Sequence, residues 1–270
     1  MNKKIYIATV GDNCIDLYDN TGEFFPGGNP VNVAVYIKRM QGNSSYTGVV
    51  GNDKFGRFMV DSLSKKGVDI SHLKVLPGNT AVTHVEINNG DRILGDYDEG
   101  VMADFKLSNK DIDFLCSHDL VVSGIWGMIE SDLYKLKAKN VPIAFDFADK
   151  INHQISRIAL PWVDYAFFSD DFSKDEDIKN AMKNIKKIGP KIVIFTRGTK
   201  GSIAYDGNNF FEFGIFDCKV IDSMGAGDSY IAGFLMSLLN GESIEGCMKN
   251  GALSSSITLG YKGAWWFNIN

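Results

Sequence analysis

Apolar runs of strand length alternate with amphipathic stretches of helix length along most of this chain. "IYIATVG" (5–11) reads as a strand and "PVNVAVYIKRM" (30–40) as a helix with Pro30 in its first turn. "SSYTGVVG" (44–51) returns as a strand, and "FGRFMVDSLSKKG" (55–67) as a helix closed by Gly67. Further on, "VPIAFDFA" (141–148), "DYAFFS" (164–169) and "KIVIFTRG" (191–198) are apolar strands, with a charged helical segment (174–188) between the last two. These runs are apolar on both faces, which is what a parallel sheet covered by helices on each side requires.

Two segments break the rhythm. "NCIDLYDNTGEFF" (13–25) and "AVTHVEINNGDRILGDY" (81–97) carry hairpin chemistry, with Asn20 and Gly22 in one turn and Asn88, Asn89, Gly90 and Asp91 in the other. Short strands inserted into an open α/β core build either surface decoration or a small sheet standing over its edge, and a lid over the site is the preferred reading. No internal repeat, low-complexity tract or Pro/Ser-rich linker divides residues 1–270, so the core is expected to be one domain.

Composition narrows the function. The chain has 28 basic and 33 acidic residues, interspersed, for a net charge of −5 and no basic stripe, which excludes a polyanionic nucleic-acid partner. Apolar runs such as "IVIF" are far too short to span a bilayer, so no membrane partner is expected either. The opening "MNKKIYIATVGDN" starts like a signal peptide, but its apolar stretch soon meets polar residues and reads better as a first strand. Cys14, Cys116, Cys218 and Cys247 lie far apart with no CxxC, and the four histidines show no metal-ligand spacing. Ordinary thiols and imidazoles in a soluble, cytoplasmic protein are the expectation.

The most informative stretch is "IDSMGAGDSYIAGF" (221–234). Ile231, Phe234 and Leu238 recur at helical spacing, so a helix is expected to begin near Gly225–Asp228. The first turn of a helix leaves amides without partners, and its dipole adds about half a positive charge there. With nothing larger than a methyl on Gly225, Ala226 and Gly227, an anionic oxygen can approach those amides. Asp228 then stands where a carboxylate accepts a proton from a hydroxyl beside that anion. The helix terminus should lower its pKa and weaken it as a base. Equally, an aspartate at this place reads as a simple helix cap.

No GxxxxGK[ST] occurs, and Gly11-Asp12-Asn13 after the first strand is not GxGxxG, which argues against a P-loop and a dinucleotide site. "GDN" (11–13) and "GGNPVN" (27–32) instead place Asp12, Asn29 and Asn32 where sugar hydroxyls can be bonded, while Gly27 and Gly28 let a polyol lie against backbone. Taken singly, each also reads as turn and capping chemistry. "TRGTKGS" (196–202) offers a hydroxyl and flexible backbone to nucleotide phosphates, or is a plain glycine turn. "DDFSKDED" (170–177) reads as a solvated helix start, with one acid available to Mg²⁺ through water.

Together, "GGNPVNVAVY" and "IDSMGAGDSYIAGF" resemble the two signatures of the ribokinase-like (PfkB) carbohydrate kinases, and the resemblance runs through essentially the whole chain to "GYKGAW". It implies a three-layer α/β sandwich with a mostly parallel central sheet and a small β lid, and an ATP- and Mg²⁺-dependent sugar kinase. By the resemblance Asp228 is the catalytic base and Gly225, Ala226 and Gly227 the anion hole. Asp12, Asn13, Gly27, Gly28, Asn29 and Asn32 contact the sugar. Thr196, Gly198 and Gly201 lie by the ATP phosphates, Asn250 near the adenine, and Asp222 near a monovalent cation, K⁺. Within the family, "GDNCIDLY" (11–18), "GDYDEGVMADF" (95–105) and "AFDFADK" (144–150) resemble the branch that phosphorylates the 6-hydroxyl of fructosyl-amines, with a glycated amino acid as acceptor. Asp96, Asp98 and Glu99 of the lid are acids that such a substrate's ammonium groups would meet. The lid sheet is also a face through which a homodimer would form.

One departure stands out. The family's N-x-x-E motif, which organises Mg²⁺, is replaced by Ser169 and Phe172, leaving Asp170, Asp171 or the nucleotide phosphates to hold the metal. Two alternatives remain open at this level: the same chemistry on free fructose, ribose or a nucleoside, and a sugar-binding protein that keeps the fold without the activity.

Overall fold

A computed structural model of the chain describes residues 4–88 and 91–265. The tip of the second expected hairpin (89–90) and the tail beyond Trp265 lie outside them.

The larger sheet has nine strands, in the order β13 (Phe210–Phe213), β12 (Ser202–Tyr205), β11 (Ile192–Thr196), β10 (Tyr165–Ser169), β9 (Ile143–Asp146), β8 (Leu120–Gly124), β1 (Tyr6–Val10), β4 (Asn43–Gly51) and β5 (Asp69–Leu76). From β11 to β5 every neighbour is parallel, and β12 and β13 close one edge antiparallel. The strands are apolar on both faces because both are covered. In β11, Ile192 and Ile194 join one apolar layer while Val193 and Phe195 join the other.

The first layer is packed by helices α1 (Asn29–Arg39), α2 (Lys54–Lys65), α7 (Ala226–Leu239) and α8 (Ile244–Thr258). The second is packed by α3 (Asn109–Leu115), α4 (Leu133–Ala138), α5 (Gln154–Ala159) and α6 (Asp175–Lys186). Helix α7 is buried from Ser229 to Ser237, which explains a sequence apolar all round rather than on one stripe. In α2, Asp53 accepts the Gly56 amide at 2.7 Å as N-cap, and Gly67 beyond its end has a φ of +76°, as the expected closing glycine requires. The acids at 175–177 are exposed in the first turn of α6, as expected of a solvated helix start.

The two interrupting segments form one four-stranded sheet, in the order β3 (Phe24–Gly27), β2 (Cys14–Tyr18), β6 (Val82–Asn88) and β7 (Asp91–Asp98). Each is an antiparallel hairpin, as its turn chemistry implies, and a parallel β2–β6 pairing joins them. That pairing spans residues far apart in the chain and had no local signal.

Strand β1 is flanked by β4 on one side and β8 on the other, so the connections leave it in opposite directions. Crevices open at the carboxyl ends of strands where the order reverses in this way. Asp12 follows β1, Asp146 ends β9, and the small sheet departs from the same edge. Among the described residues no helix is long and apolar enough to cross a membrane.

Candidate active site at the start of helix α7

Gly225 is the N-cap of α7, in the left-handed conformation (φ 74°), where a Cβ would overlap the Tyr36 hydroxyl. The first i→i−4 bond of the helix runs from the Ser229 amide to the Gly225 carbonyl at 2.9 Å, and the Ala226 amide reaches Ser223 O at 3.3 Å. The amides of Gly227 and Asp228 therefore precede the helical ladder and have no acceptor within it. Gly227 is exposed, and a Cβ built on it meets nothing within 4 Å. A turn with unengaged amides is thus present, centred on Gly227 and Asp228, with Gly225 supplying the bend.

Asp228 is not the cap of its helix. Its Oδ1 accepts from Asn29 Nδ2 at 2.7 Å and its Oδ2 from Asn32 Nδ2 at 2.6 Å, both on the facing turn of α1. Burial pushes its carboxyl up to about 7, with help from the charge on Asp146. The amide bonds from Asn32 and Asn29 oppose that rise, and the Asp12 charge adds to it. The expected depression by the helix terminus is overruled, because desolvation and neighbouring like charge outweigh a partial dipole. What results is a carboxyl group poised near neutrality.

Asn29 organises the acids. Its amide nitrogen reaches Asp12 Oδ2 at 3.3 Å, and its Nδ2 donates to Asp146 Oδ2 at 2.8 Å as well as to Asp228. Burial is the main cause that pushes Asp12 and Asp146 up to about 6 each. Asp146 was not singled out from the sequence; an acid ending the apolar strand "IAFD" at a sheet edge was the available signal.

Gly27 and Gly28 sit in close packing: a Cβ on Gly27 would overlap the Asp16 carboxyl, and one on Gly28 would stand 2.7 Å from Asn13 Cα. Their smallness lets β3 and the start of α1 close against 12–16. Asn13 is fully buried, its amide donating to Val49 O at 2.6 Å and to the Tyr46 hydroxyl at 2.9 Å, so it holds the β1–β2 corner to β4.

Beyond the turn at Gly227 and Asp228 lies a cleft of about 650 Å³. Thr196, Gly198 and Gly201 line it, as expected, with Ala226 and Gly227 at one end. Ile215, Phe216, Val220, Ala252 and Leu259 form much of its apolar wall, none of them anticipated.

The profile of the pfkB family carbohydrate kinases matches residues 4–265. This chain belongs to the PfkB carbohydrate kinase family. It is 42% identical over 259 residues to the fructoselysine 6-kinase of Shigella flexneri, covering 96% of this chain and 99% of that one. It is 33% identical over 265 residues to the fructosamine kinase FrlD of Bacillus subtilis, covering 97% and 93%. Among solved structures, the Arabidopsis thaliana ribokinase complexed with ribose and ATP superposes with a TM-score of 0.86 at 20% identity, covering 96% of this chain and 94% of that one.

Kinases of the PfkB family use ATP and Mg²⁺. Asn250 does not join the cleft: its amide donates to Ser237 Oγ at 2.8 Å and to Glu242 Oε2 at 3.1 Å. Helical periodicity is the reason, since Ala252, Ser255, Ser256 and Leu259 face the cleft and position 250 falls on another side of α8. At the missing N-x-x-E, Ser169 lines the cleft and Phe172 is 97% exposed. Asp170 is committed to its own turn, Oδ1 accepting the amides of Phe172 (3.1 Å) and Ser173 (2.9 Å), whereas Asp171 lines the cleft beside Gly198. Asp222 accepts the amides of Met224 (2.8 Å) and Gly263 (2.7 Å), tying the segment after α8 to the turn before α7.

That segment also reaches the surroundings of Asp228. Trp265, 2% exposed, donates Nε1–H to Asn32 Oδ1 at 2.7 Å, so the Asn32 amide is held with Nδ2 toward Asp228. Tyr36 bonds Ala264 O next to it. Replacing Trp265 with phenylalanine keeps a ring but removes the donor, leaving a buried acceptor unpaired at about 1–3 kcal/mol and letting the amide turn its oxygen to Asp228. The expected outcome is an acid limb of the pH–rate profile displaced to higher pH, with roughly tenfold lower kcat at pH 7 and partial recovery at pH 8.5. An unmoved limb in W265F would show that the indole only packs.

Proposed function

We propose that this chain phosphorylates the 6-hydroxyl of a fructosyl-amine such as glycated lysine, using ATP. The observation that carries the chemistry is Asp228, poised near 7 by burial and like charge, beside the unbonded amides of an anion-binding turn. The choice of acceptor rests on the two relatives named for fructosyl-amines, at 42% and 33% identity over nearly the full length.

The residues fit both substrates. Asp228 takes the proton of the acceptor hydroxyl while Asn29 and Asn32 hold its two oxygens in place. The amides of Gly227 and Asp228 stabilise charge on the phosphoryl oxygens as the hydroxyl oxygen bonds to the γ-phosphorus, the bond from that phosphorus to the β–γ bridging oxygen breaks, and ADP leaves. The 650 Å³ cleft gives an apolar wall for a base and a glycine-lined floor at Thr196, Gly198 and Gly201 for phosphates. ATP bound there would supply the phosphoryl group, and Asp171, which lines the cleft beside Gly198, would be available to hold Mg²⁺ that neutralises its charge. The proposal includes a monovalent cation, K⁺, beside Asp222, whose carboxylate already ties together the backbone that shapes the anion-binding turn.

A coupled ADP-release assay over fructosyl-lysine, free fructose and ribose tests this. Fructosyl-lysine is expected to exceed free fructose in kcat/KM by about 10² or more. Equal or better turnover of free fructose would reject the acceptor.

A further inference from the structure

Thr196 ends β11, Ser202 begins β12, and the turn 197–201 closes this antiparallel pair. Gly198 and Gly201 take positive φ (53° and 82°), and the Arg197 amide bonds Gly201 O at 2.7 Å across the turn. Backbone with two such glycines has little shape of its own, because glycine gives up more conformational freedom on folding than any other residue. Yet Thr196, Gly198, Thr199 and Gly201 line the cleft in which ATP is proposed to lie, where phosphates need a fixed floor. The residue between the threonine and the first glycine is the one that ties the turn down.

Arg197 is only 5% exposed. Its Nη1 pairs with Asp175 Oδ1 at 2.8 Å, in the first turn of α6, and its Nη2 donates to Lys200 O at 3.1 Å, at the far end of the turn. Glu212 Oε2, on β13, lies 4.0 Å from the same Nη2. One planar fork thus reaches a helix, an edge strand and its own turn. On the opposite side, Lys200 Nζ donates to Asp171 O at 3.2 Å, and a Cβ on Gly198 would stand 3.1 Å from Asp171 Oδ2. The place of the turn therefore also sets the gap between Gly198 and that acid. Burying a guanidinium is costly, and a pair with the half-exposed Asp175 returns little to the fold. An apolar side chain would fill the same space without that cost, so the charge points to the turn it holds.

We propose that Arg197 is a positioning residue for ATP: its guanidinium anchors the turn 197–201 to α6, and through Gly198 and Gly201 it fixes the floor on which the phosphates lie. The assignment rests on the placement of ATP in the cleft described above and is independent of which sugar is the acceptor. Arg197 touches no substrate; it spares ATP the work of ordering the turn, so its contribution is to nucleotide affinity rather than to the chemical step.

The test measures ATP binding by calorimetry without acceptor, and ADP release with any acceptor that the enzyme turns over. Arg197→Met fills the slot without a donor. Asp175 and Glu212 then remain in contact with water, and Glu212 keeps Lys179 at 2.6 Å, so Tm should stay within a few degrees of the wild type. Kd and KM for ATP are expected to rise about 10- to 100-fold in R197M, with kcat and acceptor KM changed by less than about threefold. Arg197→Lys keeps the charge but cannot span Asp175 and Lys200 O together, and its ATP affinity is expected between the two. Wild-type ATP affinity in R197M overturns the proposal, as does an equal rise in the KM of ATP and acceptor, which would mark a general loosening. Should R197M fail to fold, R197K decides by the same comparison. Ser256→Trp, which puts a ring into the cleft, tests the placement of ATP separately. If S256W binds ATP as the wild type does, the cleft is not the nucleotide site and the proposal falls with it; if S256W loses ATP while R197M does not, the anchor alone is refuted.

Discussion

Asp228→Asn is expected to lower kcat by about 10²–10⁴ while acceptor KM moves little, because the variant removes the proton acceptor and keeps the shape. Asn29 and Asn32 both donate to the carboxylate, so a carboxamide there keeps one bond and turns a donor against the other asparagine. That local mismatch is set against the relief of removing a buried charge next to Asp146 and Asp12. The sign with pH follows from the raised pKa. Asp228 must be unprotonated to act, so wild-type kcat/KM should fall about tenfold per unit as pH drops below about 7, and the residual rate of D228N should lack that limb. Stability runs the other way. The folded protein binds more protons than the unfolded chain between the ordinary carboxylate pKa and about 7, so the charged site costs stability as pH rises through that window. A Tm of D228N at pH 8 equal to or above that of the wild type is the expected companion result. Near-normal kcat in D228N would dismiss Asp228 as the base.

Gly227→Val separates the anion-binding turn from the fold. A Cβ at 227 meets nothing within 4 Å, and Gly227 lines the cleft proposed for ATP, so a valine there would stand between the phosphates and the amides of 227 and 228. Loss of donors of this kind costs about 10²–10³ in kcat. Replacing a helix glycine gains about 0.5–1 kcal/mol of propensity, reduced for β-branched valine, so Tm should stay within a few degrees. Gly225→Ala is the contrast: its φ of 74° and the overlap with Tyr36 make that position intolerant, and both Tm and kcat should fall. If G227V instead kept wild-type kcat, the amides at the helix start would have no part in phosphoryl transfer.

The stability of the site against neutral pH thus works against its chemistry. Asp12, Asp146 and Asp228 are each pushed up, and none is relieved by a described lysine or arginine. Elsewhere the same fold shows the ordinary arrangement. Asp111 is held below the usual carboxylate range against its own burial by Lys74, His72 and Ser108, and joins β5 to α3. Asp111 is neutralised by a lysine, whereas Asp12, Asp146 and Asp228 have only amide donors among their described partners.

How much of this was legible in the chain depends on the range of the interactions. Period, caps and turns are local, so "IYIATVG", "FGRFMVDSLSKKG" and the lid hairpins were readable as elements, and the helix start at Gly225–Asp228 was readable as an anion site. The partners of Asp228 sit 196 and 199 residues away, Trp265 lies 233 residues from Asn32, and β2 pairs with β6 across the intervening core. No periodicity records contacts of that separation. Residue type and spacing therefore settled which chemistry is available: a carboxylate, small residues and a helix terminus. Folding alone decided that burial sets the Asp228 pKa, that Asn13 is buried against β4, and that Asp12 is left with an oxygen facing no donor. Desolvation and hydrogen-bond pairing are properties of the assembled volume, and a linear order of side chains does not contain them.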